Sequence, residues 1–331
     1  MTTFTDRHRS DFNYLATNTP NGSFGDILWR DAAGDYVLWL MNTNSPGSVA
    51  TLPHVTPDWH IKAAAEFDRP LIGPQSADIL WQNDNGALAL WQMNGTTVTA
   101  INALPNPGPT WHVVGDNDFT GDMSDDILFR NDNGSLVMWN MRGASPPTIT
   151  EILTSTQNPG PTWHVVGTGD TDGDTRAGVL WQNDNGTLAI WENLIIPTTG
   201  AFTFQTVAAL PAIGPSWHVK GMADLNGDGR ADIAFQNDSG AVAVWEMGGA
   251  AGTTVTAMNL VSLVIDWGPT WHVVGLRDMN NDAHADMVLQ NDDGAAAVWE
   301  DYTSFGGGVA SFLPVAITPN PNPNGHVWDL L

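Results

Sequence analysis

The eleven residues WQNDNGTLAIW, from Trp181 to Trp191, return along the chain with small changes. WQNDNGALALW starts at Trp81, FRNDNGSLVMW at Phe129, FQNDSGAVAVW at Phe235, LQNDDGAAAVW at Leu289 and a looser WRDAAGDYVLW at Trp29. Six copies closing on tryptophan make internal repetition the first fact about the fold. A second marker, Trp-His, precedes five of them: Trp59-His60, Trp111-His112, Trp163-His164, Trp217-His218 and Trp271-His272, spaced by 52, 52, 54 and 54 residues. Within one unit the order is WHVVG, an acidic loop, ADILWQ, NDNG, LAIW and a variable Thr/Val-rich stretch, closed by NPGPT and the next Trp-His.

Each segment reads as a short strand, β-branched and aromatic residues bounded by Gly, Pro, Asn and Asp. NDNG between two such runs signals a hairpin, because Asn, Asp and Gly tolerate the positive φ of tight turns. In ALALW, alternation puts Ala87, Ala89 and Trp91 on one face and Leu88 and Leu90 on the other. Both faces are apolar, so the strand is expected between two neighbouring sheets. The strand tryptophans Trp29, Trp39, Trp81, Trp91, Trp139, Trp181, Trp191, Trp245 and Trp299 are then packing residues.

Four strands in about 50 residues is the arithmetic of a propeller blade. The first copy begins at SDFN with no Trp-His strand before it, while the chain finishes with GHVWDLL, His326 standing 54 residues after His272. Pairing the spare C-terminal strand with the first blade closes a ring and removes an open sheet edge. The expectation is all-β: one six-bladed β-propeller of four-stranded blades over residues 1–331. Its blades fall near 11–58, 59–110, 111–162, 163–216, 217–270 and 271–325, with a closing strand at 326–331.

With 11 Lys+Arg against 36 Asp+Glu, the formal charge is −25. That argues against a nucleic-acid partner, which needs a basic surface, and allows divalent cations and neutral ligands. There is no cysteine, hence no disulfide framework and no Cys-containing zinc site. No run reaches the roughly 18 apolar residues of a membrane span. The opening MTTFTDRHRSDFNYL has no apolar h-region, so no secretory signal peptide is expected in this sequence.

The acidic loop is most regular in DLNGDGRAD, with Asp224, Asn226 and Asp228 at positions 1, 3 and 5 and Asp232 at position 9. Alternate carboxylates in a tight glycine turn can converge on calcium, a hard cation taking six to eight oxygens. Matching copies hold Asp170, Asp172 and Asp174 in DTDGDTRAG, and Asp278, Asn280, Asp282 and Asp286 in DMNNDAHAD. Gly178 replaces the last carboxylate of the first of these, and DFTGDMSDD places Thr120 between Asp118 and Asp122. The alternative is an Asx turn bonded to its own backbone without metal. In blades one and two the loop is broken by YLATNTPNGSFG and RPLIGPQSA. Two adjacent long loops suggest a contact surface or a homo-dimer interface.

DLNGDGRADIAFQNDSGAVAVW resembles the bacterial FG-GAP/VCBS repeat, and the resemblance runs through six units over nearly the whole chain. That family is similar to the calcium-loop propellers of integrin α-chain heads and certain fungal lectins. A cysteine-free, acidic, free-standing array rich in LAIW-type strands also resembles a small group of rhizobial propeller lectins. The resemblance implies structural calcium, a secreted or cell-surface setting and, as a guess within it, mannose-type sugars. The same repeat serves in adhesins and as an accessory module of polysaccharide-degrading enzymes.

Catalysis fits poorly. Six of nine histidines belong to the repeat marker, and there is no GxSxG, HExxH or cysteine. Carboxylates are too many to single out a catalytic pair. Glycan binding fits better: an aromatic face takes the C–H surface of a sugar, and amides and carboxylates bridge its hydroxyls. In a propeller the hairpin between second and third strands and the connection between blades share one rim. That places Asn83 and Asp84 near Trp111 and His112, and repeats the set as Asn131, Asp132, Trp163, His164, Asn183, Asp184, Trp217, His218, Asn237, Asp238, Trp271 and His272. Several weak sites for neutral sugars would act multivalently. The rival is an adhesive or structural protein–protein module; the simpler alternative is that Trp-His anchors a strand and Asn-Asp shapes a turn.

Overall fold

The computed structural model describes residues 26–31, 34–42, 45–67, 77–143, 146–198, 200–261, 268–306, 309–317 and 328–330. The long insertions of the first two units, at 14–25 and 69–76, and His326 lie outside these residues. Among the described residues there are twenty-four strands and no helix.

Each unit is an antiparallel meander. The first strands are Trp59–Ala65, Trp111–Asn117, Trp163–Gly169, Trp217–Ala223 and Trp271–Arg277. In the first unit that place is taken by Trp328–Leu330, paired with Ile27–Asp31 through Trp29↔Leu330 and Asp31↔Trp328. Chain end and chain start therefore share one sheet, and the edge of Ile27–Asp31 is covered. Second strands run from the acidic loop to the NDNG hairpin, as in Asp78–Asn83 and Asp232–Asn237. The hairpin glycines Gly86, Gly134, Gly186, Gly240 and Gly294 all have φ near +90°, which an L side chain resists.

The tryptophans lie where alternation put them. Trp29, Trp39, Trp81, Trp91, Trp139, Trp181, Trp191, Trp245 and Trp299 are all buried. Second- and third-strand rings meet tilted or edge-on, with Trp181 and Trp191 centroids 4.9 Å apart. Six hydrophobic clusters form, each between the facing sheets of consecutive units. The sixth joins unit six to unit one, with Met279, Val288 and Val298 against Ile27, Trp29 and Trp39. Arg277 Nη1 donates to Asp26 O at 2.6 Å across the same junction.

One expectation needs correction. Instead of six separate four-stranded sheets there are two of four strands and two of eight. Two long hairpins cause this: Leu188–Thr198 with Ala201–Ala209, and Ala296–Gly306 with Val309–Ala316. Their fourth strands start early enough to pair, in parallel, with the fourth strand of the preceding unit, Thr154↔Ala201 and Leu260↔Val309. Gln157 reinforces the first junction by bonding both N and O of Phe204. The sequence pattern missed this because the added Thr/Phe-rich residues look like ordinary variation in the fourth strand.

Candidate functional site

Antiparallel order separates two sets of residues. Acidic loops join first to second strands at one end of each sheet. The NDNG hairpins and the connections leading to the next Trp-His lie at the other.

At the hairpin end the repeated residues first build a clamp. His60, His112, His164, His218 and His272 place Nε2 2.7–2.8 Å from Oδ1 of Asp84, Asp132, Asp184, Asp238 and Asp292 of their own units. The same aspartates donate their backbone N–H to the residue just before the first strand, as Asp84 does to Asp58 O and Asp238 to Ser216 O. Asn83 donates its amide to Asp58 Oδ2 at 2.7 Å, and Asn131 and Asn183 donate theirs to Thr110 and Thr162 Oγ1 at 3.0 Å. Asn237 Oδ1 accepts from Ser239 N and Ala241 N. The asparagines thus serve the turn. The aspartates, mostly exposed, keep a second oxygen, and each histidine keeps Nδ1.

Neighbouring units then meet. Gln82 donates to Trp111 O at 2.7 Å and accepts from Val113 N at 3.0 Å. Gln236 does the same to Trp271 O and Val273 N, at 2.8 and 3.0 Å. Between units three and four Arg130 takes over, donating to Gly160 O and Pro161 O. Trp111, Trp163, Trp217 and Trp271 are half-buried against the clusters below them. Between units five and six these groups enclose a cleft of about 230 Å³, where His218, Asn237 and Asp238 face Trp271 and His272. It is smaller than the ~300–1,000 Å³ of drug-sized pockets, a size for one small polar ligand. Of the residues singled out in the sequence, His218, Asn237, Asp238, Trp271 and His272 line this cleft. What the sequence did not anticipate is Lys220 and Gln236 in the same wall.

At the opposite end, the position-1 aspartates cap their own loops. Asp170 accepts from Gly173 N and Thr175 N, both at 2.7 Å. Asp224 accepts from Gly227 N at 2.7 Å and Gly229 N at 2.8 Å, and Asp278 from Asn281 N at 2.5 Å and Ala283 N at 2.8 Å. Asn226 and Asn280 accept from Asp228 N and Asp282 N. Successive loops are stitched together: Ala177, Ala231 and Ala285 donate N–H to the carbonyls of Asp118, Asp170 and Asp224 in the preceding unit. Asp232 and Asp286 are fully buried. Asp232 accepts from Leu225 N and Met247 N, and Asp286 from Met279 N. Burial, with the loop carboxylates alongside, pushes both up to about 8 against the opposing pull of those backbone N–H groups.

Calcium fits one loop best, and it is not the loop with the most regular sequence. Asp170, Asp172 and Asp174 bring a carboxylate oxygen each to within 4.8 Å of one another, the single such group among the described residues. Three hard oxygens at that separation suit calcium. Burial and the neighbouring Asp174 and Asp170 raise the Asp172 carboxyl.

With this geometry in view, comparison with known proteins adds a repeat match over part of the chain. The FG-GAP-like repeat matches residues 170–235 and 224–289. These repeats, with the all-β sheets, support a β-propeller repeat protein. No curated protein matches it significantly. Among solved structures, a chain of the mitotic checkpoint complex crystal structure is similar at 12% identity and TM-score 0.43, covering 95% of this chain and 84% of that one. A chain from the crystal structure of BBS1N in complex with ARL6DN, soaked with mercury, is similar at 12% identity and TM-score 0.39, covering 86% and 76%. No helix of the described residues is long and apolar enough to cross a membrane.

Proposed function

We propose that the six units are the blades of one closed six-bladed propeller, and that its inter-blade clefts bind neutral sugars. The observation that carries the binding reading is the cleft between units five and six, where Asp238 and His218 of one unit face Trp271 of the next across about 230 Å³. An indole beside a carboxylate suits a ring with one apolar face and vicinal hydroxyls. Equivalent clefts would act together and raise avidity. The five-fold repetition of the His-Asp pair supports binding rather than catalysis in this reading. The resemblance to rhizobial propeller lectins points the same way. Isothermal titration of neutral methyl hexosides tests it: binding weakened by Asp238→Ala without loss of melting temperature supports the reading, and equal binding by parent and variant overturns it.

Structural calcium belongs to the same proposal, held by Asp170, Asp172 and Asp174. At the opposite end of the sheets from the clefts, its part would be stability. Calcium should raise the melting temperature by mass action, and Asp172→Ala should remove the rise; no response to calcium or chelator would leave a metal-free Asx turn.

A protein-binding module is the second reading. The fourth strands expose Ile101, Ile152, Val207, Leu260 and Leu313 around the outside of the molecule, and such aliphatic surface suits a protein partner. A blank sugar titration together with self-association lost on Ile101→Thr and Leu313→Thr would favour it.

A further inference from the structure

We infer that the chain has two equivalent principal sugar sites, between units two and three and between units five and six, and that each is defined by a lysine. The inference rests on the sugar reading of the clefts and says which of them carry the binding.

Lys62 and Lys220 are the two lysines of the chain, among 11 basic residues and a net charge of −25. They occupy the same place, two residues after the marker histidine, where the other units have Val114, Val166 and Val274. Lys220 lines the cleft between units five and six. The strand register that puts it there is repeated around Lys62. Trp59↔Asn83, His60↔Gln82 and Ile61↔Trp81 match Trp217↔Asn237, His218↔Gln236 and Val219↔Phe235, with the same bulge following.

The far wall is repeated too. Gln82 and Gln236 make the same pair of hydrogen bonds to the next unit. A Cβ on Gly86 would overlap Gly108, and one on Gly240 would overlap Gly268, so both hairpins sit against the following Gly-Pro turn. Every residue lining the cleft of units five and six has an identical counterpart between units two and three. No other boundary has the full set. Units three and four combine Val114 with Arg130, and units four and five keep Gln182 but have Val166. Boundaries three units apart in a ring of six lie on opposite sides.

The chemistry explains why the lysine matters. Each hydroxyl of a vicinal diol both donates and accepts, so an acceptor and a donor together hold it better than acceptors alone. Acceptors abound in these clefts: Asp238 lines this one and Asp292 pairs with the lining His272. An ammonium brings three donors and no acceptor, so a lysine that already has a partner within the protein keeps donors for a ligand. With Asp238 in the lining and Asp292 paired to His272, the site favours a neutral polyol over a carboxylate-bearing sugar. A valine at the same position supplies no donor, so those clefts bind more weakly.

Titration calorimetry of the whole chain with the methyl glycosides of mannose, glucose and galactose, and with methyl glucuronide as the acidic control, tests this. The parent should take two equivalents of a neutral glycoside per chain, and Lys62→Ala or Lys220→Ala one. The double variant should bind at least tenfold more weakly with unchanged melting temperature. Val166→Lys should add a third equivalent, since Gln182 is already in place there. Unchanged binding in the double variant, or a parent stoichiometry of five or six, would overturn the lysine assignment and leave the sugar reading standing. Preference for the glucuronide would overturn the neutral class. A parent silent to every glycoside would overturn both readings.

Discussion

Gly178 and Glu192 allow a direct test of how the repeat treats its buried carboxyls. Four units place an aspartate at the start of the second strand and bond it to the amide two residues past the third-strand tryptophan. Asp26 accepts from Met41 N at 2.9 Å, Asp78 from Met93 N at 3.0 Å, Asp126 from Met141 N at 3.1 Å and Asp232 from Met247 N at 2.9 Å. Unit four has Gly178 there, and a Cβ built on it would overlap the carboxyl of Glu192. That carboxyl, buried to 1% exposure, is bonded by the Thr171 hydroxyl. Burial raises it to about 8, against the Thr171 bond and with Asp172, Asp170 and Asp174 adding to the rise. The third strand therefore supplies the acid that the second strand lacks. Gly178→Asp alone should overpack the site and set two acids together, at about 2–3 kcal/mol. Glu192→Gln alone keeps shape and one acceptor for Thr171, and should cost about 1 kcal/mol or less. Together they write the Asp78/Gln92 arrangement of unit two into unit four, and stability should return to within about 1 kcal/mol of the parent. The coupling is then about 2 kcal/mol, inside the ~0.5–3 kcal/mol range of contacting residues. Urea unfolding of the four proteins measures it, and additivity within ~0.5 kcal/mol would refute the exchange.

Thr175 holds φ +72° where the next unit has Gly229 at +80°; Thr175→Gly should therefore raise stability by about 0.5–1 kcal/mol and the melting temperature with it, and a fall would show the loop is not strained. The buried Trp181 indole N–H has no partner among the described residues, and Phe129 and Phe235 fill the same place elsewhere. Trp181→Phe should stay within about 1 kcal/mol of the parent while Trp191→Ala costs roughly 3–5 kcal/mol, read by urea unfolding. Burial pushes Asp26 and Asp126 up to about 8 despite their backbone hydrogen bonds. Between the ordinary carboxylate range and pH 8 the folded chain binds more protons than the unfolded one, so stability should fall as pH rises from about 5 to 8; a melting temperature that rises over that interval would contradict the burial argument.

Much of this architecture is legible in period-two alternation and in NDNG. ALALW places Leu88 and Leu90 in the core, as its pattern demands, and all nine strand tryptophans follow. Alternation reports only what one strand does with its two faces. It cannot report that the hairpin around Gly200 grows long enough to reach Thr154 in the unit before. It is also blind to exchanges between strands: Gly178 reads as a decayed acid until Glu192 is found in its place. The Asp170 loop shows the same limit. DLNGDGRAD around Asp224 matches the spacing best, while three converging carboxylates require Asp172 where that loop has Asn226.

These exchanges distinguish what the fold requires from what a ligand would require. A group the fold needs must be supplied in every unit, and when one unit loses it a neighbour supplies a substitute. Glu192, on the neighbouring strand, does so for the missing aspartate at 178, and Arg130, at the glutamine's own position, bridges units three and four through Gly160 O and Pro161 O instead. The His-Asp clamp is kept in all five marker units. Lysine at positions 62 and 220 behaves otherwise. Where Val114, Val166 and Val274 stand instead, the strand register and the bulge are unchanged, so the register does not depend on it. An ammonium in a strongly acidic chain, found twice at one register and each time with the same set of surrounding residues in the sequence, is on this proposal there for a ligand.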